Sequence, residues 1–252
     1  NPFSATSIYC LIAFLEREYG VHFAMGGTGT LVVGMVRLIE GQGGTVRCNM
    51  PVRRIAVDKG SAIGVELADG AFVPSDIVIS NADSATTYRD LIDARFRKRW
   101  TDRKIERARY SMSLFVWYFG TRRRYPDVQH HTIMLGPRYR ELLYDIFDRK
   151  SLADDFSLYL HRPTATDPSM APPGCDCFYV LSPVPNLDAD VHWPTKAEPY
   201  RRAIARRLSE TVLPGLEEAV VASRVATPLD FRDDFLSPRG AGFGLEPVLW
   251  QS

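Results

Sequence analysis

The sequence has few of the features that mark secreted, membrane-spanning or nucleic-acid-binding proteins. It contains only four cysteines in 252 residues, and none has the spacing of a zinc knuckle or a thioredoxin-type pair. The formal net charge is +1, so no overall field attracts nucleic acid. No apolar run approaches the ~20 residues of a membrane-spanning helix, and no secretory leader is recognisable. We therefore expect a reducing, cytoplasmic setting and no nucleic-acid partner.

The motifs of the common catalytic classes are also missing. Gly26 and Gly27 begin a glycine-rich turn, but no Lys-Ser/Thr pair follows, and the third glycine and preceding strand of a dinucleotide fingerprint are absent. There is no HExxH pair, no G-x-S-x-G elbow and no carboxylate pair in an apolar setting. The histidines are therefore interpreted as solvated or core residues. We predict no catalytic side chain and no metal site, so that in an enzyme of this sequence a cofactor would supply the chemistry.

Hydrophobic periodicity predicts an α+β fold. Helical spacing predicts helices over 7–19 and 30–40, and the second should be well buried because apolar residues cover most of its surface. Residues 45–80 are predicted to form a small sheet of three antiparallel strands, "TVRCN" (45–49), "VRRIAVD" and "AIGVELAD", followed by one longer buried strand, "DIVIS" (76–80). A hairpin turn is predicted around Asp69–Gly70. Residues 85–110 are predicted to be helical and strongly basic.

The second half of the chain contains further candidates for strands and helices. The predicted strands are "SLFVWYFGT", "DFSLYLHRP" and "CFYVLSPVP"; the predicted helices are "YRELLYDIF" and "EPYRRAIARRLSETVL"; and "SRVATPLDFRDDF" is predicted to be extended. The first of these strands is apolar on both faces, with Phe115, Trp117 and Phe119 on one and Tyr118 on the other. Such a strand lies in the centre of a sheet or lines an oily cavity, and a core role is the more common.

A basic segment over 94–109 carries eight Lys and Arg residues, with Phe96 and Trp100 among them. It could lie on an anionic membrane surface. The alternative is an ordinary solvated helix whose aromatic residues pack inward, and we favour this alternative on the sequence alone.

Taken in order, these segments resemble the bacterial phytoene desaturase family, within the flavin amine oxidase-like proteins. The resemblance is carried by "GGTGTLVVGMVRLIE", "GGTVRCNMPVRRI", "DIVISNAD", "TYRDLI", "SLFVWYFG", "DFSLYLHRPTATDPSMAPPG", "FYVLSPVPNL" and "GAGFGLEPVLWQS". It extends through nearly the whole chain. Because the G-x-G-x-x-G segment and the C-terminal glycine-rich segment of the family are absent, and the chain begins at Asn1 without a methionine, we expect a central piece of a longer protein.

The resemblance implies FAD as cofactor, with its main pyrophosphate-binding motif outside this chain. It assigns 1–25 to the substrate domain, 26–85 to a Rossmann-like FAD-binding domain and 86–252 to a substrate-binding domain with a mixed sheet. The expected cofactor-binding residues are Val52, next to the adenine, Asn81 and Ala82, near the flavin, and Gly26 and Gly27, at the entry of a helix. Independently, Asn81 or Asp83 could be the N-cap of the helix that begins near Ala85.

The resemblance also implies a hydrophobic carotenoid precursor as substrate and phytoene desaturation as reaction, in which a proton and a hydride leave adjacent saturated carbons. A hydrocarbon needs a long apolar channel. The expected channel residues are Phe115, Trp117, Tyr118, Phe119 and Phe243. The substrate resides in lipid, so we expect peripheral contact with a membrane. A carotenoid isomerase, a ketolase-type relative and a non-catalytic lipid-binding module remain alternatives, and the sequence does not indicate an oligomeric state.

Overall fold

The computed structural model describes residues 10–248 and Gln251. Its first part holds two helices and a small sheet, which are α1 (Cys10–Tyr19), α2 (Thr28–Gly41), β1 (Val52–Asp58), β2 (Ser61–Leu67) and β3 (Phe72–Pro74). The predicted helix over 7–19 is confirmed from Cys10 onward, whereas its first three residues lie outside the described range. All four cysteines are free. The mixture of helices and sheets confirms the α+β class.

The small sheet has the antiparallel order β1-β2-β3. The β2–β3 connection is the predicted turn, in which Gly70 has a φ of 87° and the Ala71 N–H donates to Asp69 Oδ1 over 2.9 Å. A side-chain carboxylate bonding two residues ahead, followed by a glycine at positive φ, is a common way to reverse the chain tightly.

Two predicted strands of this region are not formed. The segment 45–49 has no regular secondary structure, and neither does 76–80. Ile77 and Ile79 were expected to be buried, yet they are 75% and 90% exposed. A strand requires a neighbouring strand to accept its backbone hydrogen bonds, and no such neighbour occurs among the described residues.

The expectation that α2 is well buried is also wrong. None of its residues is buried, and Leu31, Val32, Met35, Leu38 and Ile39 are all exposed. The apolar pattern therefore correctly predicts the helix but has no partner within the described part of the chain.

A short helical segment links the two sheets. It contains α3 (Ser84–Thr86), a π-helical turn (Thr87–Leu91), a 3₁₀ turn (Ala94–Phe96) and α4 (Asp102–Arg107). Asp83 is the N-cap of α3, since its Oδ1 accepts hydrogen bonds from the N–H groups of Ala85 (2.8 Å) and Thr86 (3.3 Å). Of the two residues proposed as the cap, Asp83 is therefore confirmed. In the basic part, Ile105 is buried and Trp100 stacks on Tyr88, so the apolar residues pack inward.

The larger sheet has five strands in the order β5-β6-β7-β4-β8, all antiparallel to their neighbours. Its strands are β4 (Ser113–Thr121), β5 (His131–Met134), β6 (Leu158–His161), β7 (Asp176–Val184) and β8 (Val220–Ala226). The helices of this part are α5 (Tyr139–Tyr144), extended by a π-helical turn (Asp145–Arg149), α6 (Trp193–Thr211), α7 (Leu216–Ala219) and α8 (Pro228–Asp233). Three 3₁₀ turns complete it: Pro163–Ala165, Pro168–Met170 and Pro238–Gly240.

The main core lies between one face of this sheet and α6. Phe115 is fully buried with its ring 5.0 Å from that of Tyr200 and 5.9 Å from that of Trp193. Trp117 is likewise fully buried, and its indole N–H donates to Ser223 Oγ over 2.7 Å. Because side chains alternate along β4, these two rings point into the core, and the side chains on the other face of the strand point away from α6.

The sequence predicted β4, β6, β7, α5 and α6 correctly, but it misassigned the segment after β8. "TPLDFRDDF" was predicted to be extended and instead contains α8. Thr227 begins this helix with a capping box: its own N–H donates to Asp230 Oδ2 over 2.6 Å, and its hydroxyl accepts from Leu229 N–H over 3.3 Å. Pro228 occupies the first helical position, where its missing N–H costs nothing.

Candidate functional site

The face of the larger sheet that points away from α6 carries one side chain from every strand in a continuous row. His131 is opposite His161, His161 is opposite Tyr179, Tyr179 is opposite Tyr118, and Tyr118 is opposite Arg224. The rings of His161 and Tyr179 stack at 4.5 Å with an interplanar angle of 12°. Directly opposed residues on adjacent strands lie within contact distance, so the strand pairing alone assembles this row.

An apolar groove lies over part of the row and has a volume of about 570 Å³. Small-molecule sites commonly have about 300–1,000 Å³, so the groove is large enough to hold part of an organic ligand. Most of its lining is aromatic, aliphatic or sulfur-containing. The lining residues are Phe23, Gly27, Thr28, Tyr118, Phe119, Gly120, His161, Pro163, Met170, Cys177, Phe178, Tyr179, Ala222, Ser223 and Arg224.

The loop before α2 contributes to the groove wall. The Gly26 N–H donates to Asp167 Oδ2 over 2.7 Å, which fastens this loop to the connection between β6 and β7. Gly27 is buried, and a Cβ at this position would approach the Met170 methyl group at 3.0 Å. Both glycines also have φ values above +80°, which favour glycine. Glycine at both positions thus permits the backbone conformation of this loop, and at Gly27 the missing side chain leaves room for Met170.

The electrostatics of the groove favour neutral groups. Burial raises the pKa of the Tyr179 hydroxyl, and burial also raises that of Tyr118. Burial, followed by the proximity of His130 and His131, lowers the pKa of His161 to about 4. These three side chains are uncharged at neutral pH, and no carboxylate belongs to the lining within the described residues. Such a surface binds apolar ligands and provides no evident general base.

A buried ion pair holds the strand ends beside the groove. The Arg162 Nε lies 3.0 Å from Asp176 Oδ2, and both side chains are almost completely buried. Asp176 also accepts hydrogen bonds from the Thr164 hydroxyl at Oδ1 and from the Tyr125 N–H at Oδ2, each over 2.7 Å, and Arg124 Nε lies 3.9 Å from Oδ1. Arg162 also donates to the Val128 carbonyl. The network joins the end of β6, next to His161, to the start of β7.

The predicted substrate residues separate into three locations. Tyr118 lines the groove, whereas Phe115 and Trp117 lie in the core on the α6 side. Phe119 shares their strand face and is buried in the same core, stacked on Trp117 at 4.2 Å, although part of it also borders the groove. Phe243 is exposed and is not part of the groove lining. A substrate role for each of these residues stays a prediction, and their positions favour Tyr118.

The predicted cofactor residues are spread over a wider surface. Val52 begins β1 and is exposed, and Asn81 and Ala82 are exposed in the segment before the Asp83 cap. Gly27 lines the groove, whereas the N–H of Gly26 is already occupied by Asp167. Their contacts with a flavin stay predictions.

Sequence reasoning did not predict that Phe23, His161 and Met170 line the groove. His161 and Tyr179 could have been placed together from the two predicted strands only if the register had been known. The proline-rich connection gave no pattern that would put Met170 against Gly27, because a loop position depends on tertiary contacts.

No helix of the described residues is long and apolar enough to cross a membrane.

Curated proteins of similar sequence are bacterial phytoene desaturases. A neurosporene-forming phytoene desaturase from Rhodobacter capsulatus is 48% identical over 258 residues, which cover all of this chain and 49% of that protein. A lycopene-forming phytoene desaturase from a Paracoccus species is 47% identical over the whole chain and 50% of its own length. An all-trans-zeta-carotene desaturase from Myxococcus xanthus is 38% identical over 97% of the chain and 47% of its own length.

The chain thus spans about half the length of the curated relatives that it matches. Among solved structures, an oxidoreductase from Methanosarcina mazei has a similar fold, with a TM-score of 0.61 at 18% identity over 86% of this chain and 46% of its own. A Pyrococcus furiosus protein gives a TM-score of 0.57 at 17% identity, over 80% of this chain and 43% of its own. No protein-family model matches the chain.

Proposed function

The chain belongs to the bacterial phytoene desaturase family, and we propose that it forms part of a FAD-dependent enzyme that desaturates a linear carotenoid precursor. The observation that carries this proposal is the similarity to desaturases along the whole of this chain, together with an apolar groove on the sheet that the similar segments build. The relatives differ in product, so the number of double bonds introduced is not part of the proposal.

The groove suits a hydrocarbon because most of its lining is apolar contact area, and Arg224 is the one charged side chain among its described lining residues. A linear polyene precursor has no charge and no hydrogen-bonding group, so burial of apolar surface, at about 25 cal/mol per Å², supplies its binding free energy. Tyr118 and Tyr179 line this space, and their hydroxyls remain neutral because burial raises the pKa of both. These side chains would hold the chain of the substrate and exclude water from it.

The positions assigned to the cofactor are compatible with a flavin nucleotide. Val52, Asn81 and Ala82 are exposed and uncharged, so that backbone groups and short side chains are open to a ligand there. Bound flavin would supply the hydride acceptor of the reaction. The residues of this chain would orient the substrate beside it, and none of them is assigned as a base.

The remaining half of the protein would cover the apolar surface of the first part of the chain. Exposed apolar residues of α2 and the exposed Ile77 and Ile79 form a pattern that is expected of elements that pack in a larger nucleotide-binding domain. In that setting, 45–49 and 76–80 would acquire neighbouring strands and become the strands that their sequences predict.

The basic segment 94–109 would bring the enzyme to the lipid that holds its substrate. Lys98, Arg99 and Arg103 are exposed, while Trp100 and Ile105 pack inward, so the contact would be electrostatic rather than an inserted aromatic anchor.

The direct experiment is to express the full-length protein in a host that accumulates phytoene. We expect a protein with flavin absorbance in the visible range and the appearance of coloured, desaturated carotenoids. A folded, colourless protein that binds phytoene without converting it would refute the proposal and would favour the lipid-binding module. Isomerisation of an already desaturated carotenoid, with phytoene untouched, would instead favour the isomerase.

A further inference from the structure

We propose that His130, His131 and His161 form a binding site for a divalent transition-metal ion of the zinc type, at the edge of the groove. The inference goes beyond desaturation, and its test measures bound metal rather than turnover. It rests on the position, the hydrogen bonding and the surroundings of three imidazole groups.

The three histidines are distant in sequence and meet through strand pairing. His131 on β5 is directly opposite His161 on β6, and His130 immediately precedes β5. One ring nitrogen of each residue lies within 4.8 Å of the corresponding atoms of the other two. Imidazole nitrogens are preferred ligands of zinc, and three protein ligands make the type of site that keeps one position for water or another ligand.

Each of the three rings has an oxygen partner at Nδ1, as metal-binding histidines commonly have at the nitrogen that does not bind the metal. His130 Nδ1 lies 2.5 Å from Thr166 Oγ1, and His131 Nδ1 lies 2.6 Å from the Tyr159 hydroxyl. The same hydroxyl lies 3.2 Å from His161 Nδ1. Oxygen partners on one ring nitrogen fix the orientation of the ring and leave the other nitrogen for the metal.

The second ring nitrogen of His130 lacks a partner, which is unusual for a residue with a purely structural role. His130 Nε2 is buried and has no hydrogen-bond partner. A buried polar atom without a partner costs free energy, and a metal ion would remove that cost.

Only a small movement is needed to complete the site. With Zn–N bonds of about 2.0–2.1 Å and tetrahedral angles, ligand nitrogens stand about 3.4 Å apart, so the longest separation must shorten by roughly 1.4 Å. His131 is exposed and can make most of this movement by side-chain rotation. His161 is held by its stack on Tyr179, and Phe23 packs edge-on against His130 at 4.7 Å.

The alternative is that these rings form only an aromatic cluster. Such a cluster explains the ring contacts, but it does not explain why three ring nitrogens converge or why His130 Nε2 lacks a partner. The two interpretations differ in whether the cluster holds an ion at equilibrium.

The test uses the full-length protein, purified without a polyhistidine tag and treated with a chelator, and cobalt(II) as a spectroscopic probe for zinc. We expect one equivalent of cobalt per chain, with visible absorption bands of a four-coordinate site, and displacement of the cobalt by zinc. His131→Gln should abolish these bands without affecting folding because its side chain is exposed. Tyr159→Phe, which removes the shared hydroxyl, should weaken binding by about 10–100-fold.

The matched control is His192→Gln, since His192 is exposed and lies outside the cluster, with its Nδ1 next to Thr195 Oγ1. This variant should bind cobalt like the parent. The proposal is overturned if the parent binds no stoichiometric cobalt or if His131→Gln retains the same bands and affinity. Flavin content and circular dichroism of each variant show that folding is intact, and neither result depends on whether the enzyme desaturates phytoene.

Discussion

Arg162 and Asp176 form an ion pair in which the guanidinium is 3% exposed and the carboxylate is completely buried. Opposite charges at this depth are stable only when the remaining polar atoms are also satisfied. The hydroxyl of Thr164 and the N–H of Tyr125 meet this requirement for the carboxylate. The pair therefore fixes the ends of β6 and β7 at the place where His161 and Cys177 enter the groove.

Replacing Asp176 should destabilise the protein strongly. Asp176→Ala would leave the Arg162 charge buried without its partner, which typically costs about 3–5 kcal/mol. We expect a clearly lower melting temperature for the full-length variant than for the parent protein, measured by circular dichroism. The matched control is Asp233→Ala, which removes an exposed ion pair with Arg232 and should have little effect. Equal melting temperatures for the two variants would show that the buried network contributes little.

The adenine assignment can be tested with two valines of almost equal exposure in the small sheet. Val52 is 39% exposed and Val73 is 38% exposed. Val52→Asp places a negative charge beside the expected adenine position and should abolish flavin retention, whereas Val73→Asp should retain flavin. The ratio of flavin to protein absorbance in the purified full-length variants is the measurement. Full flavin content in Val52→Asp would reject the assignment.

The groove can be narrowed from the edge strand β8. Ala222 lines the groove, and Val221 is its exposed neighbour on the opposite face of the strand. Ala222→Phe should hinder substrate entry, and a steric cost of about 1–3 kcal/mol corresponds to a roughly 5–150-fold loss of kcat/KM. Flavin content should not change. Val221→Phe places the same ring outside the groove and should preserve turnover; a similar loss in both variants would contradict a substrate role for the groove.

Two aromatic residues on opposite faces of β4 should separate stability from activity. Phe115→Ala removes a fully buried ring from the core and should cost about 3–5 kcal/mol of stability. Tyr118→Ala removes a half-exposed ring from the groove and should mainly raise KM for the hydrocarbon. Thermal unfolding and steady-state kinetics of both variants check this. The prediction is wrong if the Tyr118 variant loses more stability than activity.

Membrane contact should depend on the exposed charges before α4. Removing two of them, in Lys98→Ser/Arg99→Ser, should weaken binding to anionic vesicles by about 30-fold, because each such charge is worth about 1 kcal/mol. Arg206→Ser/Arg207→Ser removes two exposed charges from α6 and serves as the control. Flotation with phosphatidylserine-containing vesicles measures the difference. Identical flotation of both double variants would place the membrane contact elsewhere.

The sequence predicted those elements whose patterns are local. The strands β4, β6 and β7 and the helix α6 follow from alternation and helical spacing, and they contain most of the groove and core. The short strand β5 escaped notice because four residues with two exposed positions carry little periodic signal. Helix α8 was missed because the capping box of Thr227 and Asp230 was not recognised among residues typical of a loop.

The features that sequence reasoning could not supply depend on register and on distant partners. His130 and His131 meet His161 only because β5 pairs with β6, and no spacing along the chain indicates this. Likewise, "DIVIS" has the composition of a buried strand, but composition does not state which strand will accept its hydrogen bonds. In both cases the missing information concerns the partner rather than the segment.

The alternation of β4 also restricts how this family can vary. Phe115 and Trp117 face α6, whereas Tyr118 belongs to the row across the groove face. Because successive residues point to opposite sides, deleting one residue before Tyr118 would turn a phenol toward the helix and an indole toward the ligand. Point substitutions can thus reshape the pocket gradually, but insertions and deletions within this strand would exchange the interior of the fold with its binding surface in one step.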